Sequence, residues 1–293
     1  CTAGDLDGDG NVEIVFNSTR SGWSRWDPKF PLYVYLGNER NEYSTENRLE
    51  LPSGGSNTYL VADLNQDGYA DLVCTCPEGL RIFYGGPAGL DPKKYVDLPH
   101  FGSGFYHVLV ADLNKDGWLD LVGIAYSYDF EPESLAKSSG IFYGSPDGFT
   151  SENTQPLPTS SRGNGMLADV NKDGWIDIIW ADRRGYIGIF LGGPSGYSVD
   201  RLEKVPLEGV NVGEVPALTC ADLNEDGWLD IMISYMGHYT RTTSGFYLLY
   251  GGPDGYSADR MEFHEADASS ILISAADLNN NEHLDLLVPA YST

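Results

Sequence analysis

The sequence has no run of about 18 consecutive apolar residues, the length that a membrane-spanning helix requires. We therefore expect no membrane span. Basic residues are scarce as well, since 18 Lys and Arg stand against 43 Asp and Glu and give a formal charge of −25. A surface this acidic repels phosphate groups, so the composition argues against nucleic acid as a partner.

Cysteine is too rare for a disulfide framework. Cys74 and Cys76 lie two residues apart on one predicted strand, where a bond between them would be strained. Cys220 takes the place of an apolar residue in the sister repeats and is expected in the core. Cys1 opens the chain without a methionine, as in a mature or excised piece. The alternative is a lipid-bearing first residue of a bacterial lipoprotein, with no tether before the first acidic loop.

Common catalytic motifs are missing too. The five histidines are scattered and lack zinc-ligand spacing. Neither a GxSxG nucleophile motif nor a phosphate-binding loop occurs. No stretch combines helical periodicity with capping residues. These absences favour a β-rich binding protein over an enzyme, although they leave catalysis open.

A nine-residue acidic pattern occurs six times. Its first residues are Asp5, Asp63, Asp112, Asp169, Asp222 and Asp277, at successive spacings of 58, 49, 57, 53 and 55 residues. Side-chain oxygens stand at positions 1, 3, 5 and 9, and the first five copies carry a turn-permitting glycine at position 6. Calcium accepts several oxygen ligands at about 2.3–2.6 Å in flexible geometry, so the pattern predicts a calcium loop.

The predicted ligands occupy positions 1, 3, 5, 7 and 9, with position 7 contributing its backbone carbonyl. In the first three loops they are Asp5, Asp7, Asp9, Asn11, Glu13, Asp63, Asn65, Asp67, Tyr69, Asp71, Asp112, Asn114, Asp116, Trp118 and Asp120. In the last three they are Asp169, Asn171, Asp173, Trp175, Asp177, Asp222, Asn224, Asp226, Trp228, Asp230, Asp277, Asn279, Asn281, His283 and Asp285. We expect five or six structural Ca²⁺ ions. The sixth loop should be weakest, because Asn281 and Glu282 replace the usual Asp-Gly.

Two other structures, a metal-free turn and an EF-hand loop, are also rich in the Asp, Asn and Gly residues of the acidic pattern. Asp, Asn and Gly favour turns without any metal, but a turn needs only four residues and not nine. An EF-hand loop has twelve residues, ends in Glu and lies between helices. Here β-branched and apolar pairs such as Leu121-Val122 and Ile178-Ile179 follow position 9 at once. We therefore expect each loop to join two strands.

The repeat length corresponds to four strands, which predicts propeller blades. A third strand ends at a glycine turn such as Phe83-Tyr84-Gly85-Gly86-Pro87 and leads into a short fourth strand. The predicted fold is all-β, a β-propeller of four-stranded antiparallel blades in one domain, residues 1–293. Six repeats are visible, with incomplete terminal blades, about 22 strands and a six- or seven-bladed parent ring. The predicted blades span residues 1–54, 55–103, 104–162, 163–213, 214–268 and, in part, 269–293.

The Asp-x-Asn-x-Asp-Gly-x-x-Asp loops and Tyr-Gly-Gly-Pro-x-Gly-Tyr turns resemble the FG-GAP/VCBS repeats of integrin α-subunit heads and of many secreted bacterial proteins. The Asp-Gly-Trp-Leu-Asp sequence is closer to the bacterial type. The resemblance covers essentially the whole chain. It implies a propeller with structural calcium that acts as a binding or adhesion module outside the cell or on its surface.

The long connections between second and third strands are the predicted partner site, because rigid scaffolds present function on loops. The candidate contact residues are Trp23, Trp26, Tyr128, Tyr239 and Arg241, for a glycan or an extracellular protein ligand. One alternative is a polysaccharide lyase-like enzyme, for which Tyr126, His238, Tyr239 and Arg241 are the candidates. Another is a subunit of a surface layer or filament that assembles through open terminal blades.

Overall fold

The computed structural model describes residues 1–17, 30–40, 42–56, 58–102, 104–125, 139–159, 161–182, 185–207, 217–235, 245–265 and 273–288. Within these ranges the regular elements are β-strands and short 3₁₀ turns, with no α-helix. Accordingly, this part of the chain contains no helix of the length and hydropathy that crossing a membrane requires. The prediction of an all-β chain is confirmed.

The first of two compact units contains three four-stranded antiparallel sheets. The first sheet consists of β1 (Thr2–Gly4), β2 (Glu13–Asn17), β3 (Leu32–Tyr35) and β4 (Arg48–Leu51). The second consists of β5 (Tyr59–Ala62), β6 (Asp71–Cys76), β7 (Gly79–Phe83) and β8 (Val96–Pro99). The third consists of β9 (Phe105–Ala111), β10 (Asp120–Ala125), β11 (Ser139–Phe142) and β12 (Thr154–Leu157). Strands consecutive in sequence are neighbours in every sheet.

The second unit contains two four-stranded sheets and, in the described residues, one sheet of two strands. The fourth sheet consists of β13 (Ser161–Ala168), β14 (Asp177–Asp182), β15 (Tyr186–Phe190) and β16 (Leu202–Pro206). The fifth consists of β17 (Leu218–Ala221), β18 (Asp230–Tyr235), β19 (Gly245–Leu249) and β20 (Met261–Glu265). The sixth contains β21 (Ser274–Ala276) and β22 (Asp285–Leu287). β13 begins inside the range 104–162 that the sequence assigned to the third blade.

The sheets of each unit bury their apolar faces against one another. In the first unit, Val34 of the first sheet belongs to one core cluster with Phe83 of the second. In the second unit, Ile189 of the fourth sheet belongs to one cluster with Ile231 of the fifth. β10 is buried along its whole length, as expected for a short continuous apolar run that is covered on both faces. The third acidic loop thus leads directly into a strand that lies in the core.

The strand register places every acidic loop between the first and second strands of a sheet. Ala111, directly before the third loop, pairs with Asp120 at its ninth position. The alanines before the second, fourth, fifth and sixth loops pair with position 9 in the same way. The prediction that the loops join two strands is therefore confirmed, and the six loops share one structural setting.

Candidate metal centres

The acidic loops need the left-handed backbone conformation at two positions. Gly68, Gly117 and Gly227, at position 6, have φ of 88°, 91° and 87°. A Cβ on Gly68 or Gly117 would meet nothing within 4 Å, so backbone conformation and not space requires glycine there. Glu282 has φ of 69° and so adopts the left-handed conformation of the glycine it replaces. Position 4 is left-handed as well, for example at Lys115 with φ of 59°, a feature that the residue pattern did not predict.

This backbone directs its N–H groups at the side chains of positions 1, 3 and 5. In the third loop, Asp112 accepts from the N–H groups of Asp116 and Gly117, at 3.2 and 3.0 Å. The N–H of Asp116 also donates to Asn114 Oδ1, at 3.0 Å. Asn114 Nδ2 in turn donates to Asp116 Oδ2, at 2.9 Å. Because Asp112 and Asn114 both accept from the N–H of Asp116, the loop's own hydrogen bonds bring their side-chain oxygens close together.

The acid at position 9 is held by two other backbone groups. Asp120 Oδ2 accepts from the N–H of Leu113, at 2.8 Å, and its Oδ1 accepts from the N–H of Gly144, at 2.8 Å. Leu113 is loop position 2, and Gly144 begins the turn between the third and fourth strands. The same pair of bonds occurs for Glu13, Asp71, Asp177 and Asp230. The carboxylate therefore ties the loop to the adjacent turn, a role that the residue pattern did not predict.

The position-9 carboxylates of the first five loops are buried, and burial changes their proton affinity. Burial raises the pKa of Asp71, Asp120 and Asp177 to about 6. The two N–H donors lower the pKa of each carboxyl, and the negative charges of the neighbouring loop aspartates raise it. Burial also raises the pKa of Glu13 and Asp230. A divalent cation in the loop would favour the ionised form of these groups.

The turn that meets position 9 requires glycine for a different reason. A Cβ on Gly85, Gly144 or Gly192 would lie between 2.2 and 2.3 Å from the carbonyl oxygen of loop position 8. Only glycine can bring its N–H so close to the loop. Tyr197 and Tyr256, later in the fourth and fifth turns, donate their hydroxyls to the same position-8 carbonyls, both at 2.6 Å. The Gly-Gly-Pro-x-Gly-Tyr motif thus fastens the turn to the loop.

Two further features bear on whether the loops suit a hard divalent cation. One oxygen each of Asp5, Asp7 and Glu13 lies within 4.8 Å of the others. In the fifth loop, Asp222 Oδ1 is buried and has no hydrogen-bond donor in the described part of the chain. A buried carboxylate oxygen without a partner is costly, and a cation would satisfy it. The side-chain donors at positions 1, 3, 5 and 9 are oxygens, which calcium prefers, so the donor set fits calcium.

The sixth loop departs from the other five. Asn279 Nδ2 donates to Asp285 Oδ2, at 3.0 Å, and not to position 5, where Asn281 replaces the aspartate. Asp285 still accepts from the N–H of Leu278, at 3.0 Å, while its described hydrogen bonds include none from a turn glycine. The loop therefore keeps its backbone form with fewer acidic oxygens.

Within each unit, neighbouring loops contact each other through position 4 of one and positions 6 and 7 of the next. Gln66 Nε2 donates to the carbonyl of Gly117, at 2.6 Å. Lys172 Nζ lies 4.2 Å from the ring centre of Trp228. A third contact of this type joins Glu225 to His283. The ring of Trp228 thus contacts the preceding loop, while the position-7 carbonyl as a metal ligand stays a prediction.

The predicted partner site falls outside the described residues. This applies to Trp23, Trp26, Tyr128, Tyr239 and Arg241. It applies as well to Tyr126 and His238, on which the enzyme alternative depends. Both hypotheses stay predictions from the sequence.

Comparison with solved structures finds the same fold in proteins of low sequence identity. A lectin of Agrocybe aegerita, described as recognising non-reducing terminal N-acetylglucosamine, has a TM-score of 0.59 at 18% identity over 98% of this chain and 73% of that chain. BBS1N, in complex with ARL6DN, has a TM-score of 0.59 at 12% identity over 98% and 75%. The V. cholerae biofilm matrix protein Bap1 has a TM-score of 0.54 at 14% identity over 93% and 40%. The chain has the β-propeller fold of these proteins.

Sequence comparison identifies the repeat family. No curated protein matches this chain as a relative. The model of the FG-GAP-like repeat matches residues 5–74, 63–123 and 169–233, together more than half of the chain. Each of these ranges begins at the first aspartate of an acidic loop. The chain therefore belongs to the FG-GAP-like repeat family.

Proposed function

We propose that this protein is a calcium-stabilised, non-catalytic binding module that works outside the cell, with a glycan or an extracellular protein as its ligand. The observation that carries the calcium part is the shared loop geometry. Oxygens at positions 1, 3 and 5 are oriented by the loop's own N–H groups, and the position-9 acid links the loop to the adjacent turn.

Calcium has a structural role in this proposal. An ion in the loop fixes the connection between the first two strands of a sheet. Through position 9 it also stabilises the turn between the third and fourth strands, because Asp120 bonds to both segments. Contacts such as Gln66 to Gly117 extend this order to the next loop. Loops rich in exposed carboxylates are expected to bind calcium with low affinity. Such sites suit the millimolar calcium of extracellular fluids, which supports the proposed location.

The binding part of the proposal is supported by the fold and its neighbours. A lectin and a biofilm matrix protein have the same fold as this chain, and their names place them among glycan-binding and extracellular proteins. At these low sequence identities the similarity supports the fold but not the ligand. The proposed ligand class therefore rests on the aromatic and arginine side chains predicted for the long connections.

A binding experiment tests this part directly. The calcium-loaded protein is applied to a glycan array and to extracellular matrix proteins, beside the variant in which Trp26 and Tyr239 are alanine. We expect binding by the parent and its loss in the double variant. Phe263→Ala is the matched control, since this aromatic residue is 39% exposed on β20. Equal binding by the parent and the double variant would place the site elsewhere, and product release from a glycan would favour the enzyme alternative.

A further inference from the structure

Two of the turns beside the acidic loops carry an arginine nine residues after their first glycine. In the fourth repeat it is Arg201, and in the fifth it is Arg260. The second and third repeats have Lys94 and Asn153 at this position. The turn motifs of the fourth and fifth repeats are otherwise nearly identical, so their two arginines can be compared directly.

Both guanidinium groups lie over the second glycine of their turn. A Cβ at Gly193 would come within 1.9 Å of Arg201 Nη1, and one at Gly252 within 2.2 Å of Arg260 Nη1. The second glycine of these turns thus makes room for the arginine. Gly86 of the second repeat has no neighbour within 4 Å of its ideal Cβ, in keeping with the absence of an arginine there.

The two arginines have different partners. Arg260 donates to two neutral carbonyls of its own turn, those of Gly251, at 2.7 Å, and Gly255. Arg201 Nη2 instead lies 3.7 Å from Asp173 Oδ2, in the acidic loop. Asp173 is position 5 of the fourth loop, so the guanidinium reaches one of the predicted metal ligands.

The corresponding ligand of the fifth loop has no such neighbour in the described part of the chain. Asp226 Oδ2 accepts from Asn224 Nδ2, at 3.1 Å, as Asp173 Oδ2 accepts from Asn171 Nδ2. Lys172 also approaches the fifth loop, but its described contact is with the ring of Trp228 and not with a carboxylate. A positive charge paired with a ligand carboxylate therefore distinguishes the fourth loop from the fifth.

We propose that Arg201 sets the cation affinity of the fourth loop by holding a positive charge against Asp173. This inference rests on the proposed function, in which the loops bind calcium. The guanidinium neutralises part of the charge that attracts the ion and repels the ion itself. Both side chains are 36% exposed, so solvent and salt screen the effect. We expect removal of the charge to strengthen binding at this loop by roughly three- to tenfold at low ionic strength.

Terbium luminescence measures the fourth loop separately. Tb³⁺ is a calcium probe that emits when a nearby indole is excited, and Trp175 occupies position 7 of this loop. In a background with Trp118 and Trp228 changed to phenylalanine, the indole signal at the loop face comes from Trp175. Chelator-treated protein is titrated with Tb³⁺ and then with competing Ca²⁺, for the background alone and with Arg201→Gln, Arg201→Lys or Arg260→Gln.

The expected result is a three- to tenfold lower half-saturation concentration for Arg201→Gln only. Arg201→Lys keeps the charge and should resemble the background, while Arg260→Gln is the matched control and should not strengthen binding at the fourth loop. The gain should shrink as salt rises. Equal or weaker binding by Arg201→Gln would overturn the inference. Absence of a calcium-displaceable signal in the background protein would instead overturn the calcium proposal itself.

Discussion

The contact between loop and turn can be tested by adding one methyl group. Gly85 donates its N–H to the buried carboxylate of Asp71, at 2.8 Å. A Cβ on Gly85 would lie 2.2 Å from the carbonyl oxygen of Ala70, a backbone atom that cannot swing aside. Gly85→Ala must therefore move the turn away from the loop and weaken this hydrogen bond.

The loss of stability in Gly85→Ala follows from the clash with the Ala70 carbonyl and from the weakened hydrogen bond to Asp71. Overpacking against fixed atoms costs about 1–3 kcal/mol. Weakening a hydrogen bond to a charged group costs about 1.5–3 kcal/mol, although moving the turn relieves part of the clash. We expect a net loss of about 2–4 kcal/mol in the free energy of unfolding, which lowers Tm by roughly 3–7 °C for a chain of 293 residues.

Gly86→Ala is the matched control, one residue away. Its added Cβ would meet nothing within 4 Å, and Gly86 is not among the residues with positive φ. This variant should keep the parent's stability or gain up to about 1 kcal/mol through a less flexible unfolded chain. Thermal unfolding of the three proteins in saturating calcium, followed by circular dichroism, gives the comparison. Equal Tm values for Gly85→Ala and Gly86→Ala would refute the close contact between turn and loop.

Three further predictions concern the loops. Because burial raises the folded pKa of Asp120 to about 6, above its unfolded value, chelated protein should lose stability as pH rises from about 4 to 6, whereas calcium favours the ionised carboxylate. The gain in Tm on adding calcium should therefore grow from pH 5 to pH 7, and a gain independent of pH would contradict this. Asn281→Asp combined with Glu282→Gly should add one calcium of ordinary affinity in equilibrium dialysis, since it restores the acid and the glycine; an unchanged ion count would show that the sixth loop fails for another reason. Gln66→Ala should lower Tm by about 1–2 °C, because it removes a hydrogen bond of 2.6 Å to the next loop, and an unchanged Tm would show that this contact adds no stability.

The sequence predicted the parts of the fold that depend on local pattern. The nine-residue spacing and the apolar pairs after position 9 were enough to place six loops between strands, and all six pairs of strands are present. The short fourth strand predicted after the glycine turn is present as β8, β12 and β16, which end within one residue of Pro99, Pro158 and Pro206. Such features need no knowledge of distant contacts.

The remaining features depend on contacts between segments. The bond from Gly144 to Asp120 joins residues 24 positions apart, and it forms only once β10 and β11 have paired in register. Similarly, nothing in the side chain of Lys115 indicates a left-handed backbone, which the loop imposes through its hydrogen bonds. The contact of Arg201 with Asp173 was also beyond the sequence pattern, because Arg260 occupies the same motif and bonds elsewhere.

The melting temperature of chelator-treated protein during a calcium titration tests the central claim most directly. Ligands that bind only the folded state stabilise it by mass action, about 2.7 kcal/mol for a site at 100 times its dissociation constant. Several loops should therefore raise Tm by well over several degrees at low salt, with five or six ions bound at saturation. Magnesium should have a small effect, because it requires rigid octahedral sites. A melting curve that is the same in excess chelator and in saturating calcium would contradict the account.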